Sequence, residues 1–164
     1  MMRYHNITKD DMLNGDGLRV VLWVAGCSHG CRECQNPITW DPNGGLPFTD
    51  SERAEIFAEL DKDYISGITF SGGDPLHPSN IAEVTALARE IREKYPDKRS
   101  GCIRVLSGKK SSSMRSSIIW MYVWTGNFRW IRKKFILKWK GSSNQRVIDV
   151  QASLRENRVV LYAE

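Results

Sequence analysis

The most apolar stretch of the chain, Leu18 to Ala25 (Leu-Arg-Val-Val-Leu-Trp-Val-Ala), is rich in β-branched residues and nearly continuous. Alternation would mark a strand with one wet face, whereas an unbroken run marks a strand covered on both faces, which favours a parallel sheet. The run ends in Gly26-Cys27, so the loop that follows sits at the carboxyl end of this strand, where open α/β sheets place their ligands. Ahead of it, residues 1–17 are polar and close on a turn signal, Asn14-Gly15-Asp16-Gly17. Asp41 to Pro47 is rich in glycine and proline and predicts a loop. Thr49-Asp50-Ser51-Glu52 has the form of a capping box, and Ile56, Phe57 and Leu60 continue a helical stripe to about Lys62. Gly67-Ile68-Thr69-Phe70 predicts a second short strand running into Ser71-Gly72-Gly73-Asp74-Pro75. After Pro78-Ser79-Asn80, a second helix carries Ile81, Val84, Leu87, Ala88 and Ile91 on one face and stops near Pro96. Strand, helix, strand, helix is the order of a parallel α/β layer. Ile103 to Leu106 predicts a third strand and Val159-Val160-Leu161 a closing one, with no internal repeat between them.

A length of 164 residues, 41% apolar and 26% charged, fits one soluble domain spanning 1–164. No run is long enough to cross a bilayer. The N-terminus, Met1-Met2-Arg3-Tyr4-His5, lacks an apolar signal core, so a cytoplasmic location is expected and the Asn6-Ile7-Thr8 sequon carries little weight. The net charge of +5 suggests a nucleic-acid partner until the charge is located. Lys98 to Ile148 holds 13 of the 24 basic residues and no acid, while the remainder carries 11 basic against 19 acidic residues. The chain is acidic with one basic insert, and neither nucleic acid nor a membrane is an expected partner.

Three of the four cysteines crowd into Cys27-Ser28-His29-Gly30-Cys31-Arg32-Glu33-Cys34, with Cys102 apart. A disulfide framework is not built this way, whereas a metal site is. Thiolates bind iron–sulfur clusters, and three local cysteines can hold three irons of a [4Fe–4S] cube and leave the fourth open. A zinc site with His29 or Cys102 as fourth ligand is the competing reading. Taken alone, Gly72-Gly73-Asp74-Pro75 is a plain turn, His29 and His77 are loop residues without a catalytic role, Trp40 packs beneath the cysteine loop, and Cys102 is a buried thiol. Asn14 to Arg19 reads equally as a turn before a strand or as a functional motif.

The Cys-x3-Cys-x2-Cys spacing resembles that of radical S-adenosylmethionine (SAM) enzymes. Asn14-Gly15-Asp16-Gly17-Leu18-Arg19, Gly26-Cys27-x3-Cys31-x2-Cys34-x-Asn36, Thr39-Trp40, Gly72-Gly73-Asp74-Pro75 and the tail from Leu137 to Arg146 together resemble the anaerobic ribonucleoside-triphosphate reductase-activating proteins, over about residues 3–97 and 137–150. The resemblance implies an α/β fold: an incomplete radical-SAM (β/α) barrel, mainly parallel, with the cluster loop at the carboxyl end of the first strand. It also implies a radical SAM oxidoreductase that activates a glycyl-radical enzyme. Cys27, Cys31 and Cys34 would hold a [4Fe–4S] cluster whose open iron binds SAM. Reductive cleavage to methionine and a 5′-deoxyadenosyl radical would then take a hydrogen from a glycine of the reductase. Gly72, Gly73 and Asp74 would be the platform for the SAM amine, with Glu33, Cys34 and Gln35 lining the SAM side of the loop. No catalytic residue is implied beyond the cluster. Glu33 stands where the wider superfamily often has an aromatic residue. Implied partners are the large subunit of the anaerobic reductase and an electron donor such as flavodoxin, in a homodimer or heterotetramer. The alternatives are an activase of the pyruvate formate-lyase type, disfavoured by the short chain and its tail, and a non-catalytic metal- or nucleic-acid-binding module.

Residues about 99–136 are atypical for that family, whose members carry acids there, including the form Asp-Val-x-x-Asp-Gly. Trp and Met have single codons, so the effect of moving the codon boundaries one nucleotide upstream can be read directly. Met121 and Thr125 must become aspartate and Tyr122 valine; Val123 becomes cysteine or arginine, Gly126 is free to become glycine, and Ile131 is forced to aspartate. The shifted text reads Asp-Val-x-x-Asp-Gly. Residues from about 110 to 135 are therefore expected to be a frame-shifted stretch, which would cost the sheet its later strands. The competing reading is a genuine Arg- and Trp-rich binding surface.

Overall fold

The computed structural model describes residues 1–103, 122–125, 139 and 142–163. Eight strands among them form one sheet: β1 (Arg3–Asp11), β2 (Leu18–Val24), β3 (Leu46–Pro47), β4 (Ile65–Gly72), β5 (Arg99–Ile103), β6 (Tyr122–Thr125), β7 (Arg146–Asp149) and β8 (Val160–Ala163). The helices are α1 (Asp50–Leu60), α2 (Ile81–Lys94) and α3 (Val150–Glu156). The spatial order is β3-β1-β2-β4-β5-β6-β7-β8. The centre, β2-β4-β5-β6, is parallel, while β1 and β3 on one side and β7 and β8 on the other pair antiparallel.

Among the described residues the sheet is open, with no closed barrel. The expectation is corrected in two respects: the sheet is mixed rather than mainly parallel, and the cysteine loop follows the second strand rather than the first. The strands missing from the sequence reading are β1, β3, β6 and β7, and β3 takes the last two residues of the expected Asp41–Pro47 loop; the longest of them is β1, Arg-Tyr-His-Asn-Ile-Thr-Lys-Asp-Asp, most of it half-buried. It lies between β2 and β3 with no alternating apolar face, and pairing with the apolar β2 holds it in place. The third strand also begins earlier than its apolar run, because β5 opens on Arg-Ser-Gly and pairs with β4 from Gly67↔Arg99 to Phe70↔Cys102.

Both faces of β2 are covered, as its composition implies. Val20, Leu22 and Val24 join Ile68 and Phe70 of β4 beneath Ile56 and Leu60 of α1 and Val84, Leu87, Ala88 and Ile91 of α2. Each such large side chain contributes about 1.5–3 kcal/mol relative to leaving it in water. The other face buries Val21 and Arg19, both at most 1% exposed. The capping box forms as expected: Ser51 N donates to the Thr49 hydroxyl and Thr49 N to the Glu52 carboxylate. Cys102 is buried in the same core, level with Phe70.

Most of the atypical stretch, 104–121 and 126–138, lies outside the described residues, and so does most of the expected strand Ile103 to Leu106. The sheet does continue beyond β5, however. Tyr122–Thr125 pairs with β5 and with β7, and Val-Trp-Thr is strand-prone in its own right.

Candidate iron–sulfur site

Parallel β2 and β4 end side by side, with Val24 opposite Gly72. The chain leaving β2 carries the cysteines and the chain leaving β4 carries Gly72-Gly73-Asp74, so adjacent strands bring two segments about 40 residues apart to one edge. Backbone hydrogen bonds lace them together. Gly73 N donates to Val24 O at 2.9 Å, and Asp74 N to Gly26 O at 2.8 Å. The approach is too close for a side chain at residue 73: a Cβ there would stand 2.5 Å from Gly26 O and 2.9 Å from Thr39 O. Gly72 adopts φ +99°, which side-chain-bearing residues avoid.

The far end of the cysteine loop is tied back by the single turn Pro37–Thr39. Gly26 N donates to Thr39 O at 2.8 Å and Cys27 N to Trp40 O at 3.1 Å. Trp40 therefore supports the loop through its backbone, and the residue is 38% exposed rather than buried beneath it. Within the loop, Cys34 N donates to Cys31 O at 3.1 Å and Asn36 N to Cys34 Sγ at 3.4 Å. Glu33 takes φ 60°, the left-handed region, and its side chain and that of Gln35 are exposed.

All three loop cysteines are free thiols and partly buried. Burial pushes the Cys27 thiol up, a backbone N–H from His29 acts against it, and Asp74, Cys31 and Cys34 raise it further. Burial and then Cys34 raise Cys31. The thiols thus lie close enough to resist joint ionisation, and a bound cation would reverse that by favouring the thiolates. Among the described residues no three Cys, His, Asp or Glu side chains converge as on a single ion. His29 is engaged elsewhere, its Nε2 2.9 Å from Asp74 Oδ2, and Cys102 sits in the core. Three neighbouring thiols are a donor set that fits an iron–sulfur cluster.

Of the expected platform, Asp74 is 4% exposed, its Oδ1 accepting from Leu76 N at 3.0 Å. His77 stays outside the loop, bonding Ser79 Oγ at 2.7 Å. Asn80 went unnoticed in the sequence as more than a residue ahead of a helix. It is 1% exposed and donates from Nδ2 to Ala25 O at 2.7 Å and to Asp74 O at 3.1 Å, joining the two segments a second time. Its one sequence signal, Asn at an N-cap, points to a different use.

Asn14 to Arg19 lies at the opposite end of the sheet. Arg19 Nε donates to Thr69 Oγ1 at 2.9 Å, and Nη2 to Ile68 O and Arg99 O, both at 2.7 Å. Five steps along β2, about 17 Å at strand rise, separate it from Val24, so the motif braces β2, β4 and β5 rather than the cysteine loop.

A family model described as a 4Fe-4S single cluster domain matches residues 13–148. The anaerobic ribonucleoside-triphosphate reductase-activating protein of Salmonella typhimurium is 40% identical over 154 residues, covering 89% of this chain and 97% of its own length. The protein of the same name from Escherichia coli strain K12 is 38% identical over 154 residues with the same coverage. That of Enterobacteria phage T4 is 36% identical over 148 residues, covering 89% of this chain and 93% of its own. With the cysteine loop and its neighbouring segment in place, these likenesses settle the kinship: the chain belongs to the family of anaerobic ribonucleoside-triphosphate reductase-activating proteins.

Proposed function

We propose that this chain activates an anaerobic ribonucleoside-triphosphate reductase by forming a glycyl radical in its large subunit, using reductive cleavage of SAM at a [4Fe–4S] cluster. The activity is the one its relatives are named for. One observation carries the chemistry: three partly buried free thiols on a loop laced to a glycine-rich segment at the carboxyl end of adjacent parallel strands. When bound, the cluster and SAM together supply a one-electron cleavage that generates a hydrogen-abstracting radical. Cys27, Cys31 and Cys34 would hold the cluster, three thiolates for a four-iron group. Gly72 and Gly73, lacking side chains, let a small amine approach the backbone, and Asp74 fixes the shape of that segment. Glu33 and Gln35, exposed beside Cys34, border the same opening. The open mixed sheet is read here as a shortened radical-SAM (β/α) arrangement. A flavodoxin-type donor and a homodimer or heterotetramer complete the proposal, and the reducing cytoplasm suits three free thiols. No described helix is long and apolar enough to cross a membrane.

The test is anaerobic reconstitution followed by reduction with SAM present. Four irons and four sulfides per chain, 5′-deoxyadenosine as product, and a glycyl-radical signal in added anaerobic reductase are expected. A single zinc with no cleavage, or cleavage that activates only a pyruvate formate-lyase-type enzyme, overturns the proposal.

A further inference from the structure

The loop between Cys27 and Cys34 makes few ties outward. Its ends are held by backbone hydrogen bonds at Gly26, Cys27 and Thr39. Among the described residues, one side-chain hydrogen bond reaches from Ser28–Glu33 to another element: His29 Nε2 to Asp74 Oδ2, 2.9 Å across 45 positions of sequence. A carboxylate oxygen can only accept, so Nε2 carries the proton and donates.

The acceptor is rigidly held. Asp74 Oδ1 is taken by Leu76 N, its backbone N donates to Gly26 O, and its carbonyl accepts from His77 N at 2.9 Å and from Asn80 Nδ2. The carboxylate is therefore fixed before His29 reaches it, and a contact to a fixed hub transmits position. The His29 side chain is itself only 16% exposed. A residue of the cysteine loop, two positions from Cys27, thus touches the glycine-rich segment directly.

We propose that His29 is a positioning residue. Its bond to Asp74 latches the cysteine loop onto Gly72–Asp74 and sets how the cluster-bearing thiols stand relative to the segment that receives the SAM amine. The inference rests on the proposed function. The latch is not needed to hold iron, which the three thiols do unaided. It is needed to present two halves of one site in register, and outer-shell groups of this kind typically change affinity or activity by about 10–100-fold.

The experiment compares the unaltered protein with His29→Ala and His29→Gln, reconstituted anaerobically. Gln carries an amide N–H near the place of Nε2–H and so preserves the latch. Iron and sulfide are measured first, and SAM is then titrated against the electron paramagnetic resonance spectrum of the reduced cluster. Expected for H29A are a full iron content, roughly tenfold more SAM for half the spectral change, and a KM for SAM raised more than kcat is lowered. H29Q should return most of the loss. A titration of H29A that overlays the unaltered protein overturns the latch, as does loss of iron in H29A that Gln fails to restore, since that marks a ligand. An unaltered protein whose four-iron spectrum ignores SAM refutes the proposed function, and the latch with it.

Discussion

Asn80 offers a sharp test because two roles for it predict opposite results. It occupies the N-cap of α2, where Ser and Asn are comparably good, yet its side chain makes no capping bond. Instead, Nδ2 spans Ala25 O and Asp74 O. Asn80→Ala strips Ala25 O of that donor in a buried site, a loss of about 1–3 kcal/mol. Asp74 O keeps its bond from His77 N, so the second loss is smaller, about 0.5–1 kcal/mol. The sum is about 1.5–4 kcal/mol, or about 3–16 °C in Tm for a domain of this size. Asn80→Ser separates the roles, since its hydroxyl can cap the helix but cannot reach both carbonyls. It should remain about 0.5–3 kcal/mol below the parent after regaining about 1 kcal/mol from the cap. Asn80→Asp, nearly the same shape, turns an acceptor toward two carbonyl oxygens and should be worse than Ala. Calorimetry on reduced apo protein measures all three. A serine variant as stable as the parent refutes the bridging role, and an aspartate variant milder than alanine refutes the hydrogen-bond account of it.

Serine at Cys27, Cys31 or Cys34 should each cut iron retention after anaerobic desalting to a minor fraction, while Cys102→Ser keeps the full content because that thiol is buried in the core; iron assay decides. Lys62 hydrogen-bonds Glu59, which sits 7% exposed, and holds its carboxyl below the usual range. The stability this supplies is complete above the ordinary glutamate value and is lost as pH falls through the depressed one. Glu59→Gln should therefore lower Tm at pH 7 and flatten its decline below about pH 4. An unchanged acid slope counts against that pairing. Sequencing the coding DNA across codons 95–140 is expected to reveal a one-nucleotide shift; an intact frame, with the Met121–Ile131 peptide seen by mass spectrometry, rejects it.

What could be read from the sequence were features in which local chemistry and final structure agree. The Thr49–Glu52 box, the α2 stripe and the β2 run each state their environment within a few residues. The cysteine loop stood out because its three thiols are neighbours in the chain. β1 was not, since its place depends on the hydrogen bonds β2 offers rather than on its own apolar pattern. Arg19 looked like an interruption in a strand, and its burial is explained only by carbonyls from β4 and β5. His29 and Asn80 were present as residue types, but their partners lie 45 and 55 positions away, a distance that no local pattern encodes.

That separation also orders events in time. The three thiols complete their spacing once Cys34 is made, but Gly72 to Asp74 follow about 40 residues later, a delay of about 2–8 s at ordinary rates of synthesis. During that interval the nascent chain carries the three thiols proposed to hold the cluster with no second wall beside them. The loop becomes half of a site only when β4 has paired with β2. Iron delivered early would meet open, solvated thiols; iron delivered late would meet a loop already laced at Gly26 and held by His29. Cluster insertion after folding is therefore the route that the connectivity of β2 and β4 favours.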